Sequence, residues 1–251
     1  MQWCDEAIVL SLRSHGETAG ILELLTREHG RHLGVVHGSA SSRVRSTLQP
    51  GNRLNVTWRA RVPEHLGVLA VEPSCTRAAR FFEKRNSLVA LNAAIAIAAA
   101  VLPEREPHAT AYQDTEVLID AIPGGDILDW GPLFVYWELG LLNELGFGLD
   151  LSVCAVTGVS DDLIYVSPRS GRAVSREAGE QYRDRLLSLP QFLIGGATEN
   201  APMTDISAGL QLSGHFLQRW VLQPCGKEIP FARKRLADLA GREIAQMTVS
   251  E

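Results

Sequence analysis

From Asn52 to Arg61 the side chains alternate without a break. Leu54, Val56, Trp58 and Ala60 hold one parity, and Arg53, Asn55, Thr57, Arg59 and Arg61 hold the other. Successive side chains of a strand point to opposite faces, so this segment predicts a strand with an apolar inside and a cationic outside. Other short apolar runs share the first part of the chain: Trp3–Arg13, Gly20–Thr26, His32–Val36 and Leu66–Val71. Gly30, the Pro50-Gly51 pair and Pro73 punctuate them. The absence of a helical pattern between them argues against parallel βαβ units. Short strands joined by tight turns over about 75 residues predict a small closed barrel.

The same stretch concentrates positive charge. Arg27, Arg31, Arg43, Arg45, Arg53, Arg59 and Arg61 face only one acid in sequence, Glu28. The window therefore carries +6 (seven minus one), the chain carries −5, and the remainder carries −11 (−5 minus +6). Such asymmetry marks a site for a polyanion; the alternative is a solvated basic loop. A plain solvent face of a strand mixes both signs. The polar parity of 52–61 has no acid, which favours a binding face.

With 45% apolar residues, the chain can bury a sizeable core. The N-terminus, Met1 to Leu10, has Asp5 and Glu6 where a signal peptide needs positive charge. The longest apolar run, Leu88–Leu102, is mostly alanine, is interrupted by Asn92 and is too short to span a bilayer. Cys4, Cys75, Cys154 and Cys225 stand far apart and form no CxxC pair, as reduced cytosolic thiols would. These features predict a soluble, cytoplasmic protein.

From Cys75 onward the period becomes helical. Phe81–Leu102 favours helix and stops at Pro103; Tyr112–Ile122 and Pro132–Leu145 follow. Leu133, Trp137, Leu141 and Leu145 recur at fourfold spacing and predict a buried stripe. The segment 146–180 is rich in Gly, Ser and Asp and predicts an irregular insertion around a short strand, Leu163–Val166. Thr204-Asp205 is a candidate cap for a helix bearing Ile206, Leu210, Leu217 and Val221. A last helix after Pro230 carries Arg233, Lys234 and Arg235, and Ala245–Glu251 is expected to fray. The predicted fold class is α+β: a barrel domain over residues 1–77, then a mostly helical domain over 78–245 with the insertion at 146–180.

Catalytic patterns are missing. There is no GxSxG elbow and no GxxxxGK[ST] phosphate loop. His29, His32 and His37 invite a metal reading, but no HExxH spacing or carboxylate cluster accompanies them. Asp161 and Asp162 lie in the insertion, where capping or solvation explains them. No enzyme activity and no cofactor is expected.

Several pieces in order resemble the RecO family of recombination mediators. They are Trp3 with Asp5 to Leu10, His15 to Thr18, Leu22 to Thr26, His29 to Arg31, Leu48 to Gly51 and Trp58 to Arg61. Leu212 to Leu217 and Ala232 to Leu236 continue the likeness, which spans nearly the whole chain. The resemblance implies an N-terminal OB-fold and a helical C-terminal domain. It implies binding of single- and double-stranded DNA, annealing of complementary strands, and, with RecR, helping RecA displace single-strand-binding protein. Many family members hold zinc in the insertion with CxxCG and a second CxxC. Here Cys154-Ala155-Val156-Thr157-Gly158 keeps one cysteine, and the second pair falls near Ser175 and Ala178. No zinc is expected, and Leu163, Ile164 and Tyr165 are candidates to hold the knuckle by packing.

An OB barrel joins a cationic groove to aromatic platforms. The first 80 residues supply only Trp3 and Trp58 as large aromatics, and Trp58 has the inward parity. Phosphate contacts by the seven arginines are therefore expected to dominate. A second class of function is an interaction scaffold. Arg219, Lys227, Arg233, Lys234 and Arg235 lie near Phe216, Trp220 and Phe231 in sequence. An apolar groove rimmed by cations would suit an acidic peptide, which the resemblance implies is the tail of single-strand-binding protein. The bland alternative makes those aromatics core and those charges solvated.

Overall fold

The computed structural model describes residues 1–196 and 201–249 and divides them into two compact units, Met1–Pro123 and Gly124–Glu251. In the first unit β1 (Gln2–His15), β2 (Ala19–Thr26), β3 (Gly30–His37), β4 (Arg53–Arg59) and β5 (Val68–Cys75) close into a barrel of order β1-β2-β3-β5-β4. Antiparallel pairing joins every neighbour except β3 and β5, which meet in parallel at Val35 and Val68. A bulge between Val9 and Ser11 bends the long β1 so that it reaches both β2 and β4. Gly30 turns the chain at φ +66, and a side chain there would strike the Glu106 backbone.

Inside the barrel lie Ala7, Val9, Leu22, Leu24, Leu54 and Trp58, all nearly fully buried. The alternation predicted for β4 holds: Leu54, Val56 and Trp58 point in, while Asn55 and Arg59 point out. The unbroken run Ala7-Ile8-Val9-Leu10 is buried on both faces because α2 (Arg85–Val101) packs against β1. Its alanines, Ala90, Ala93, Ala94 and Ala98, are fully buried and allow that close approach. α1 (Ser42–Thr47), capped by Ser41, fills the β3–β4 connection and carries no apolar period to announce it. Asn52 fastens the region: its amide donates to Ser46 and Thr47 carbonyls and accepts from the Arg77 and Ala78 amides. α3 (Ala109–Ala121) presents Glu116 and Asp120 to the buried Arg77 guanidinium. Residues 78–123 pack with the barrel in the first compact unit.

The second unit begins with α4 (Ile127–Glu144). It starts five residues before the predicted Pro132 because Asp126 and Asp129 form a capping box, and Pro132 sits inside the helix. A small sheet of order β7-β6-β8 follows, made of β6 (Leu163–Val166), β7 (Ala173–Ser175) and β8 (Leu187–Ser188), with α5 (Arg176–Gly179) between the last two. α6 (Met203–Phe216) is preceded by Pro202 rather than capped by Thr204 or Asp205. Asp205 instead accepts from the Gln191 amide. A π-helical stretch, Leu217–Leu222, prolongs α6, and Gly226 ends the run in the left-handed region. α7 (Phe231–Val249) runs through most of the segment expected to fray; residues 250–251 lie outside the described residues. No helix among the described residues is long and apolar enough to cross a membrane.

Candidate nucleic-acid interface

The seven arginines of the window do not stay together. Arg31 is largely buried, with ion pairs to Glu23 at 2.7 Å and Glu104 at 3.4 Å and a bond to the Leu102 carbonyl. Arg53 is half-buried and pairs with Glu116 at 3.2 Å. Their acids come from elsewhere in the first unit, so the window is less cationic in space than in sequence. Arg27 is exposed and pairs with its neighbour Glu28. Arg43, Arg45, Arg59 and Arg61 are exposed, with no acid in pairing range among the described residues. They form two groups. Arg43 and Arg45 lie within α1, where Arg45 lines a depression with Ser14 of β1 and Gly16 and Glu17 of the β1–β2 turn. Arg59 closes β4 opposite Gln2, and Arg61 follows in the β4–β5 loop.

That loop is held from outside the barrel sequence. The Arg105 guanidinium donates to the carbonyls of Pro63, Glu64 and His65 at 2.6, 3.2 and 3.1 Å. Arg105 itself is fixed at φ +62, and its amide donates to the Arg31 carbonyl. Nothing near Arg105 in the sequence signals this role.

An aromatic stack stands where β1 begins. Trp3 lies parallel to His29 on one side, with ring centroids 4.1 Å apart and 10° between planes. On the other side it stacks on Trp58 at 5.5 Å and 16°. His32 meets both tryptophans edge-on at 5.0 Å. His32 is buried, and neither of its ring nitrogens has a partner. Burial first, then the charges of Arg105 and His29, hold its pKa down to about 4. His37 is exposed, and no group of three metal-binding side chains exists among the described residues.

The C-terminal candidates also part company. Phe216 is fully buried, and Trp220 packs on it at 4.4 Å and against Gly171 of the insertion. Arg233 is buried against Glu138, so it cannot rim a groove. Lys234 pairs with Glu228 at 3.2 Å. Arg219, Lys227 and Arg235 are exposed, as is Phe231, which is 75% exposed.

In the knuckle, Cys154 is buried and its sulfur accepts from the Ser175 amide and hydroxyl at 3.3 and 3.4 Å. Burial pushes the thiol up, but hydrogen bonds from Ser175 and Thr157 outweigh it and bring the pKa to about 6. Position 175, where the second pair would begin, therefore lies beside Cys154, but a hydroxyl stands there. One thiol with Thr157, Ser175 and Ala178 is no ligand set for zinc, which needs thiolate or imidazole donors. Leu163 is buried, and Tyr165 covers Gly179, so packing holds the sheet. Metal analysis of purified protein should return no stoichiometric zinc, and a chelator should leave its melting temperature unchanged. One zinc per chain would contradict this.

Family comparison agrees with the architecture. Residues 1–77 match the family described as recombination protein O N terminal, and residues 83–227 match recombination protein O C terminal. The chain is 50% identical over 240 residues to a DNA repair protein RecO of Rhodospirillum centenum, covering 95% of this chain and 94% of that one. It is likewise 50% identical to that of Phenylobacterium zucineum, covering 95% and 97%. For Rhodospirillum rubrum the identity is 48%, covering 95% and 96%.

Proposed function

Because the chain belongs to the RecO family of DNA repair proteins, we propose that it binds single- and double-stranded DNA and anneals complementary strands. With RecR it helps RecA load on DNA covered by single-strand-binding protein. It acts without catalysing a reaction. The observation that carries the DNA-binding step is the set of exposed, acid-free arginines Arg43, Arg45, Arg59 and Arg61 on a barrel of OB type. Guanidinium forks grip phosphate oxygens in pairs and ignore base identity, which leaves base edges free to pair. The tail of single-strand-binding protein would dock at Phe231, with Arg235 one turn along the same helix and Arg219 also exposed.

A binding titration of single-stranded DNA at several salt concentrations tests this, with an annealing assay beside it. Log affinity should fall with log salt at about −0.7 per phosphate neutralised, so about −3 if each arginine takes one. Replacing the four by Ala should flatten that slope and weaken annealing. It should leave stability nearly unchanged, because each is a surface change within about 0.5 kcal/mol. A flat salt response of the unaltered protein would remove the proposal.

A further inference from the structure

Phosphate contacts alone leave the aromatic stack at the start of β1 without a use. Trp3 is covered on both faces, by His29 and by Trp58. His29 stacks one face on Trp3, and about a third of its side chain (34%) stays exposed. Its plane is set by Asp5, whose carboxylate bonds Nδ1 at 2.8 Å. Asp5 is itself buried and also accepts from the Glu6 and Glu28 amides, so the support is rigid. His29 is thus the outermost ring of a stack three deep, held in orientation from beneath.

The charges around it suit a nucleic-acid strand. Arg59 stands opposite Gln2, the residue next to Trp3. Arg61 and the Arg105-held loop continue from there. On the other side lies the β2–β3 turn, where Glu28 is occupied by Arg27. We propose that the outer face of His29 is a stacking platform for a nucleobase of single-stranded DNA, with the flanking phosphates on Arg59 and Arg61. Stacking engages the face of a base and leaves its pairing edge exposed, so the contact is compatible with annealing. It is also sequence-tolerant, because every base has such a face.

This inference rests on the DNA-binding proposal above, and the test separates the two. Affinity is measured for an oligothymidylate and for an abasic oligomer of equal length and charge, with the full chain and its variants at one salt concentration. His29→Ala should weaken oligothymidylate binding at least about fivefold, leave the abasic oligomer unchanged and leave the salt slope unchanged. His29→Leu, which fills the space without an aromatic face, should behave like His29→Ala. His29→Phe should restore binding. Asp5 keeps its two backbone donors in all of them, and equal melting temperatures confirm an intact fold. If His29→Leu weakens both oligomers alike, or neither, the platform is refuted while DNA binding stands. If the unaltered chain binds neither oligomer, the DNA-binding proposal itself fails and takes the platform with it.

Discussion

Glu138→Ala should lower stability by about 3–5 kcal/mol, read as a fall in the midpoint of urea denaturation. Glu138 is fully buried on α4 and accepts from Arg233 Nε at 2.6 Å and from its terminal nitrogen at 2.8 Å. It also accepts from the Ser213 hydroxyl at 2.6 Å. Arg233 has one further partner, the Leu210 carbonyl, and lies over the Phe134 ring at 5.9 Å. Removing the carboxylate strands a guanidinium that is only 2% exposed. Arg233→Met alone should cost a similar amount by stranding the carboxylate. The double variant Glu138→Leu with Arg233→Met should recover most of the loss, since a well-packed apolar pair replaces two desolvated charges. If the double variant is as unstable as the sum of the singles, the pair holds α4, α6 and α7 together by more than mutual neutralisation.

Arg233 shows what the sequence could and could not disclose. It sits in a run of basic residues near exposed Phe231, which reads as a cationic rim. Its acid lies 95 residues earlier, on a helix whose stripe signals only apolar burial. Arg53 fails for the same reason, since Glu116 approaches through the fold and not along the chain; Arg31 pairs first with Glu23 on the neighbouring strand and then with Glu104. Period-two alternation is local, so the barrel strands and the inward side of Trp58 were legible. Ion pairing is non-local, so the net charge of a window overstated its free charge. The missed elements are those too short for a period. α1 spans six residues, β7 three and β8 two. Proline favours the first turn, so Pro132 reads as a helix start, but the Asp126–Asp129 capping box begins the helix earlier. The His29 platform needs Trp3 from another strand, and no spacing rule links the two.

Acid should weaken the barrel over a window that His32 defines. In the folded chain its pKa is held at about 4, whereas an unfolded histidine has the ordinary value of 6.5. Above pH 6.5 both states leave the ring neutral, and the full stability is present. As pH falls below 6.5 the unfolded chain takes up the proton first, so stability falls with pH until the folded ring also titrates near 4. The interval corresponds to at most about 3.5 kcal/mol. The groups facing the ring explain the direction. Trp3 and Trp58 stand at right angles to it, while Arg105 and His29 add positive charge. His32→Phe keeps an aromatic ring in the same space but cannot titrate. Since both ring nitrogens are unpartnered, that change should cost little at pH 7. The measurement is the denaturation midpoint of both proteins from pH 7.5 to pH 4. The His32→Phe protein should lose less stability than its parent, with the difference opening below pH 6.5 and levelling near 4. Parallel curves for the two proteins would show that His32 reaches a proton acceptor or water in solution.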